Sequence, residues 1–314
     1  MLKLVSTGGC LASMHREPCW MPNCERNPVK LVRLGPAGRE RPYVLLEGST
    51  VVDVSAAVPD FGGECLGPER LDSVRAEVDR QLSAARAEQV GHRRLGSPVA
   101  RPHQIVCIGL NYADHAAETG QAVPNEPIIF TKSPNTMVGP YDDVHIPRGS
   151  MKTDWEVELG IVIGQRCQYL ASEEEAALAI AGYVLVNDVS EREFQLERGG
   201  QWSKGKSAET FNPCGPWLVT ADEVPDPLAL SMTLDVNGVR RQDGSTATMI
   251  FGPVFLVRYL SQFMVLEPGD LISTGTPPGV GMGQHPPVYL RPGDEMELSI
   301  EGLGTQRQHV IAAP

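Results

Sequence analysis

Long apolar runs are missing from this sequence. The best candidates, residues 181–186 and 254–260, fall far short of the ~20 apolar residues that a membrane helix needs, so no membrane partner is expected. Blocks of Lys and Arg are missing as well. With 27 basic against 39 acidic residues the formal net charge is −12, which repels phosphate backbones and anionic head groups and excludes nucleic acid as an expected partner. Neither an internal repeat nor a low-complexity tract occurs, which argues against solenoids and disordered polymers. Residues 1–10 carry one Lys and only a token apolar stretch, so no signal peptide is expected. The seven cysteines, at 10, 19, 24, 65, 107, 167 and 214, are odd in number and scattered, which suggests reduced thiols and a cytoplasmic location. Cys10, His15, Cys19 and Cys24 fit no common zinc spacing.

What is present is a chain of 314 residues with 32 Gly and 26 Pro, enough for one large domain plus a small one built from many short elements. Residues 1–27 have no hydrophobic period and are broken by Pro18 and Pro22, so they are expected to form a flexible extension. Residues 31–34, 43–46 and 51–54 predict three short strands, and Leu71, Val74, Val78, Leu82 and Ala85 recur at helical steps. Together these make a small β-rich N-terminal unit over 28–97, with residues 91–102 as the candidate linker. The remainder, 98–314, reads as a larger, mainly β domain of α+β class. Strands are expected at 105–108, 128–130, 155–163, 183–187 and in most of the later segments, with a short helix over 112–118. Ser172 and Glu175 form a capping box for a helix that Gly182 is expected to end.

Side chains two apart on a strand share a face, so Glu156-Val157-Glu158 places two carboxylates side by side ahead of the apolar run 159–163. Asp188 closes another apolar strand. Buried carboxylates demand a cation, and three hard oxygen donors without Cys or His favour Mg²⁺, Mn²⁺ or Ca²⁺ over zinc. The bland alternative is a solvated edge strand carrying two acids, and the Glu-x-Glu pattern alone does not decide between them.

The wider wording does. The segments Gly109-Leu110-Asn111-Tyr112-Ala113-Asp114-His115, Asp154-Trp155-Glu156-Val157-Glu158-Leu159, Asn187-Asp188-Val189-Ser190, Gln201-Trp202-Ser203-Lys204-Gly205-Lys206-Ser207 and Thr274-Gly275-Thr276-Pro277 occur in this order and spacing. They closely resemble the catalytic domain of the fumarylacetoacetate hydrolase family over residues 98–312. The β unit from Lys30 looks like the N-terminal domain of many bacterial members. The resemblance implies a mixed β-roll catalytic domain in a homodimer, with Mg²⁺ or Mn²⁺ held by Glu156, Glu158 and Asp188. It implies His115 as general base oriented by Glu118, Lys206 as the residue that stabilises developing negative charge, and Arg192, Gln195 and Thr276 as substrate contacts. The implied reaction is hydrolysis of a carbon–carbon bond in a 2-oxo or diketo acid through an enolate at the metal, with decarboxylation or enol–keto isomerisation as alternatives. The wording looks most like bacterial 2,4-diketo-3-deoxy sugar-acid hydrolases and proteins labelled ureidoglycolate lyase. One departure is Ala208-Glu209-Thr210-Phe211, where relatives commonly place Asp before Thr-Phe.

Two other classes compete. Residues 200–207 fit the P-loop pattern of an NTPase, but no apolar strand precedes them and Pro213 and Pro216 soon follow. The glycines at 279, 281 and 283 follow Pro277 and Pro278 and precede Pro286 and Pro287, which leaves no helix for a dinucleotide site. A non-catalytic protein that keeps only the fold is the remaining class, although none of the carboxylates nor His115 is lost.

Overall fold

The computed structural model describes residues 29–118, 120 and 122–314. The expected extension over 1–27, with the cysteines at 10, 19 and 24, lies outside the described residues. The fold is α+β and mainly β, as the sequence pattern implies. A ten-stranded sheet runs, in spatial order, Glu88–Gln89, Thr50–Asp53, Arg41–Leu45, Lys30–Leu34, Leu218–Thr220, Ile180–Asn187, Val157–Ile163, Leu271–Ser273, Ile105–Gly109 and Ile128–Lys132. All neighbours pair antiparallel except Leu271–Ser273 with Ile105–Gly109, which is parallel. A second sheet of five strands orders Val239–Ser245, Ser231–Val236, Glu295–Ile300, Gly304–Ala312 and Val144–Ile146.

The N-terminal strands join the large sheet where Lys30 pairs with Val219 and Leu31 with Leu218. The helix Pro68–Ser83 starts with Pro at its first turn, where the missing N–H is no loss, and buries Leu71, Val74 and Val78. Residues 96–99, inside the segment read as a linker, are buried, and the Gly96 amide donates to the Arg33 carbonyl.

Ile180–Asn187 and Val157–Ile163 are buried along their whole length, so both faces of the central strands are covered, which explains their unbroken apolar runs. The capping box forms: Ser172 Oγ accepts from the Glu175 amide, and the Glu175 carboxylate accepts from the Ala171 amide. The end of that helix differs from the sequence expectation. It stops at Leu178, and Gly182 lies inside the strand Ile180–Asn187 rather than at a helix C-terminus. A Cβ on Gly182 would sit 2.1 Å from the Val219 carbonyl, so the glycine answers to a neighbouring strand, not to a helix end. Among the described residues no helix is long and apolar enough to cross a membrane.

Candidate active site

The strand Val157–Ile163 begins one residue after Glu156, yet Glu156 keeps its place on the ladder. Its carbonyl accepts from the Asp188 amide at 2.9 Å, and its own amide donates to Asn187 Oδ1 at 3.3 Å. These bonds hold the mouth of one strand against the end of the next, and so bring Asp188 to the Glu156/Glu158 pair. Glu156, Glu158 and Asp188 each offer an oxygen within 4.8 Å of the others, and all three are buried. The edge-strand alternative is thereby removed.

Three like charges at this depth need compensation, and the structure shows how unevenly it is supplied. Burial pushes the Glu156 carboxyl up, but Lys206 and Arg192 outweigh it and hold the group down at about 2. Burial raises Glu158 well above the usual carboxylate range, reinforced by Asp188 and Glu156, while Lys206 and the Gly275 amide oppose it only in part. Lys206 Nζ donates to Glu156 Oε2 and Asp188 Oδ2, both at 2.7 Å, and these acids keep its pKa raised against the burial that would lower it. A cluster of oxygen donors in which one carboxyl is driven towards its neutral form fits a hard divalent cation, Mg²⁺, Mn²⁺ or Ca²⁺, better than zinc.

Two of the cations come from short helical segments. Arg192 caps a π-helical segment, Glu193–Glu197, of the kind that often re-aims side chains at functional sites. Its Nε donates to Asp154 Oδ2 at 2.8 Å, one terminal nitrogen lies 2.8 Å from Glu156 Oε1 and 3.1 Å from Gln195 Oε1, and the other, though buried, has no hydrogen-bond partner among the described residues. Lys206 ends a four-residue helix, Ser203–Lys206, whose Gly205 packs so closely that a Cβ would lie 2.3 Å from the Glu191 carbonyl. Lys204, two residues earlier, turns outward to the Arg198 carbonyl. A P-loop helix would begin at this Lys-Ser pair; here the helix stops there, and Lys206 is spent on carboxylates.

His115 and Glu118 lie one turn apart on the helix Ala113–Glu118, and His115 Nδ1 is 3.0 Å from Glu118 Oε2. The other Glu118 oxygen accepts from the Gly279 amide at 2.9 Å. Asn111, fully buried, anchors the approach to this helix by bonding the Phe251 backbone on both sides and the Thr274 carbonyl. His115, Glu156, Glu158, Arg192, Gln195 and Thr276 line one cavity. Lys206 stands behind the carboxylates. The Thr276 hydroxyl is engaged within the protein, donating to the Val157 carbonyl and accepting from Gln242 Nε2.

Several contributors carry no signal that the sequence pattern singles out. Lys132 is fully buried, pairs with Asp188 Oδ1 and donates to the Phe211 carbonyl at 2.6 Å. Asp154 is fully buried too and binds Arg192 together with the amides of Gly281 and Met282. A hint of it was available, since it stands two residues before Glu156. The glycine run that resembles a dinucleotide motif serves the structure instead. Gly279 fixes Glu118, and Gly281 comes within bonding reach of Asp154, because neither glycine carries a side chain.

Comparison with known proteins extends this picture. The family described as Fumarylacetoacetate (FAA) hydrolase C-terminal matches residues 104–311. A Burkholderia multivorans relative, provisionally named a hydrolase, is 53% identical over 91% of this chain and 100% of its own. The solved fumarylacetoacetate hydrolase of Exiguobacterium antarcticum is similar at 36% identity and a TM-score of 0.76, covering 91% of this chain and 100% of that one. The maleylpyruvate hydrolase of Sphingobium sp. SYK-6, solved with manganese(II) and pyruvate, is 27% identical with a TM-score of 0.74 over the same 91% and 100%. The sheet arrangement is therefore the mixed β-roll of these proteins.

Proposed function

The chain belongs to the fumarylacetoacetate hydrolase family, and from that premise we propose that it is a divalent-metal-dependent hydrolase that cleaves a carbon–carbon bond of a 2-oxo or diketo acid. The observation that carries this reading is a buried three-carboxylate cluster, two members of which, Glu156 and Glu158, line one cavity with an oriented histidine. A structurally similar hydrolase that holds manganese(II) and pyruvate supports it.

Glu156, Glu158 and Asp188 would hold Mg²⁺ or Mn²⁺, which when bound polarises the oxygens of a 2-oxo acid. Arg192, fixed by Asp154, turns its unspent nitrogen to the substrate carboxylate. Gln195, which accepts from the same guanidinium, and Thr276 shape the adjoining wall. His115, oriented by Glu118, takes a proton from water, and the hydroxide adds to the distal carbonyl carbon. The bond between that carbon and the 2-oxo fragment breaks. Its electron pair leaves on the fragment as an enolate, which is then protonated to the product; Lys206, held behind the carboxylates, adds its positive charge to the site without touching the fragment. Decarboxylation or isomerisation would pass through the same enolate without requiring added water. We take the protein to work as a cytoplasmic homodimer, which light scattering of the purified protein tests for assembly.

A screen of acylpyruvates, diketo sugar acids and oxaloacetate with Mg²⁺, with ATP and GTP as controls, tests the reading. Hydrolysis of a diketo acid is expected, and turnover of nucleotide alone sinks it. Glu158→Ala or Asp188→Ala is expected to abolish turnover and weaken Mg²⁺ binding in a metal titration. His115→Ala should leave Mg²⁺ binding intact while slowing hydrolysis on the order of 10²- to 10⁴-fold.

A further inference from the structure

Beyond its carboxylates and His115, the cavity is lined by Ile108, Leu110, Phe130, Leu196, Trp202 and Met282. Phe130 and Trp202 meet edge to face at 5.3 Å, and Trp202 lies flush on Gly109, where a Cβ would come within 2.4 Å of its ring. This wall is therefore aromatic and closely packed. Among the described residues, Arg192 supplies the one guanidinium or ammonium group in the lining, and its other nitrogens are already committed to Asp154, Glu156 and Gln195. Lys206 is committed to Glu156 and Asp188, and Lys204 points outward to Arg198.

The lining thus has one cationic group, the Arg192 guanidinium, to receive one carboxylate. A second carboxylate at the far end of the substrate would be desolvated against rings and aliphatic chains with no second cation in the lining to pair it, and leaving a buried charge unpaired is strongly unfavourable.

Resting on the proposed 2-oxo acid chemistry, we propose that this site selects substrates with a single carboxylate and a short apolar group at the far end, and discriminates against dicarboxylates. The wall residues Phe130, Trp202 and Leu196 set that preference. Leu196 is the practical handle because it is 40% exposed, so a charged side chain is accommodated there without disturbing the core.

Calorimetry on the Mg²⁺-loaded protein tests this with ligands that are not cleaved: pyruvate, 2-oxoglutarate, and 5-methyl-2-oxohexanoate, in which an isopropyl group replaces the distal carboxylate. The apolar isostere is expected to bind on the order of 10- to 100-fold more tightly than 2-oxoglutarate. Leu196→Arg, which places a cation on the wall, is expected to narrow that ratio about 10-fold. If pyruvate binds the wild type and 2-oxoglutarate matches or exceeds the isostere, the selectivity inference is overturned while the chemistry stands. An unchanged ratio in Leu196→Arg overturns the assignment of the wall. Failure of pyruvate to bind overturns the underlying reading, and this inference with it.

Discussion

Lys132 shows how much of a catalytic cluster rests on one side chain that touches no cavity. Its ammonium is fully buried against Asp188, and the Phe211 carbonyl takes a second of its protons. Removing the sole partner of a buried charge costs about 3–5 kcal/mol, and here Asp188 would keep Lys206 on its other oxygen. Lys132→Met, similar in length and without charge, is therefore expected to lower the unfolding free energy of the metal-free protein by part of that, about 1–3 kcal/mol. Urea denaturation followed by tryptophan fluorescence measures it, and an unaltered midpoint would show that Asp188 is adequately held by Lys206. Asp154 has the corresponding position for Arg192. It does not line the cavity, but its two oxygens take the guanidinium and three backbone amides and so fix how the guanidinium is turned.

At the scale of elements, the site hangs on short segments whose geometry tolerates little. The helix Ser203–Lys206 can deliver Lys206 to the carboxylates only because Gly205 has no side chain. A Cβ there would meet the Glu191 carbonyl at 2.3 Å and the Gln195 amide nitrogen at 2.6 Å, both near the π-helical segment that carries Arg192. Gly205→Ala is thus expected to push the two segments apart, with about 1–3 kcal/mol lost in stability and a larger loss of turnover than of folded protein. Thermal melts and kcat compared side by side check this, and a variant with wild-type turnover would refute the tight-packing account. These cases also explain what could be read from the sequence. Glu156 and Glu158 were legible because a two-residue step on a strand is a local rule, and His115 with Glu118 because a three-residue step on a helix is another. The apolar central strands were legible for the same reason. Lys132 and Asp188 lie 56 residues apart, and Asp154 and Arg192 lie 38 apart, so no local period announces either pair. Gly182 misled because a glycine after a helical run has two explanations, and only the neighbouring strand at Val219 decides for the second.

For the molecule as a whole, the decisive property is that folding and metal binding compete for the same protons. Glu158 has its pKa raised above the ordinary 4.5 by burial and by its acidic neighbours, so the metal-free folded state holds a proton that the unfolded chain releases. Stability from that group is present at low pH and declines as pH rises from 4.5 towards the raised value. Glu156, held down at about 2, works in the opposite sense: its contribution is present above the ordinary value and is lost only as pH falls towards 2. Of the two, therefore, Glu158 governs the slope above the ordinary carboxylate value. A divalent cation needs the carboxylate, so binding expels the proton and grows tighter as pH rises. The metal-free protein should lose stability over the range in which the metal-bound protein, with Glu158 ionised folded and unfolded alike, shows no slope from this group. Melting temperatures of chelator-treated and Mg²⁺-saturated protein should then diverge with increasing pH, by a few degrees for each ~1–2 kcal/mol of binding free energy. Calorimetric titration of Mg²⁺ in buffers of differing ionisation enthalpy should show net proton release, and Glu158→Gln should abolish both that release and the widening gap. A gap that stayed constant with pH, or narrowed, would mean that Glu158 is already ionised in the metal-free fold and that Lys132, Arg192 and Lys206 balance the cluster without its proton.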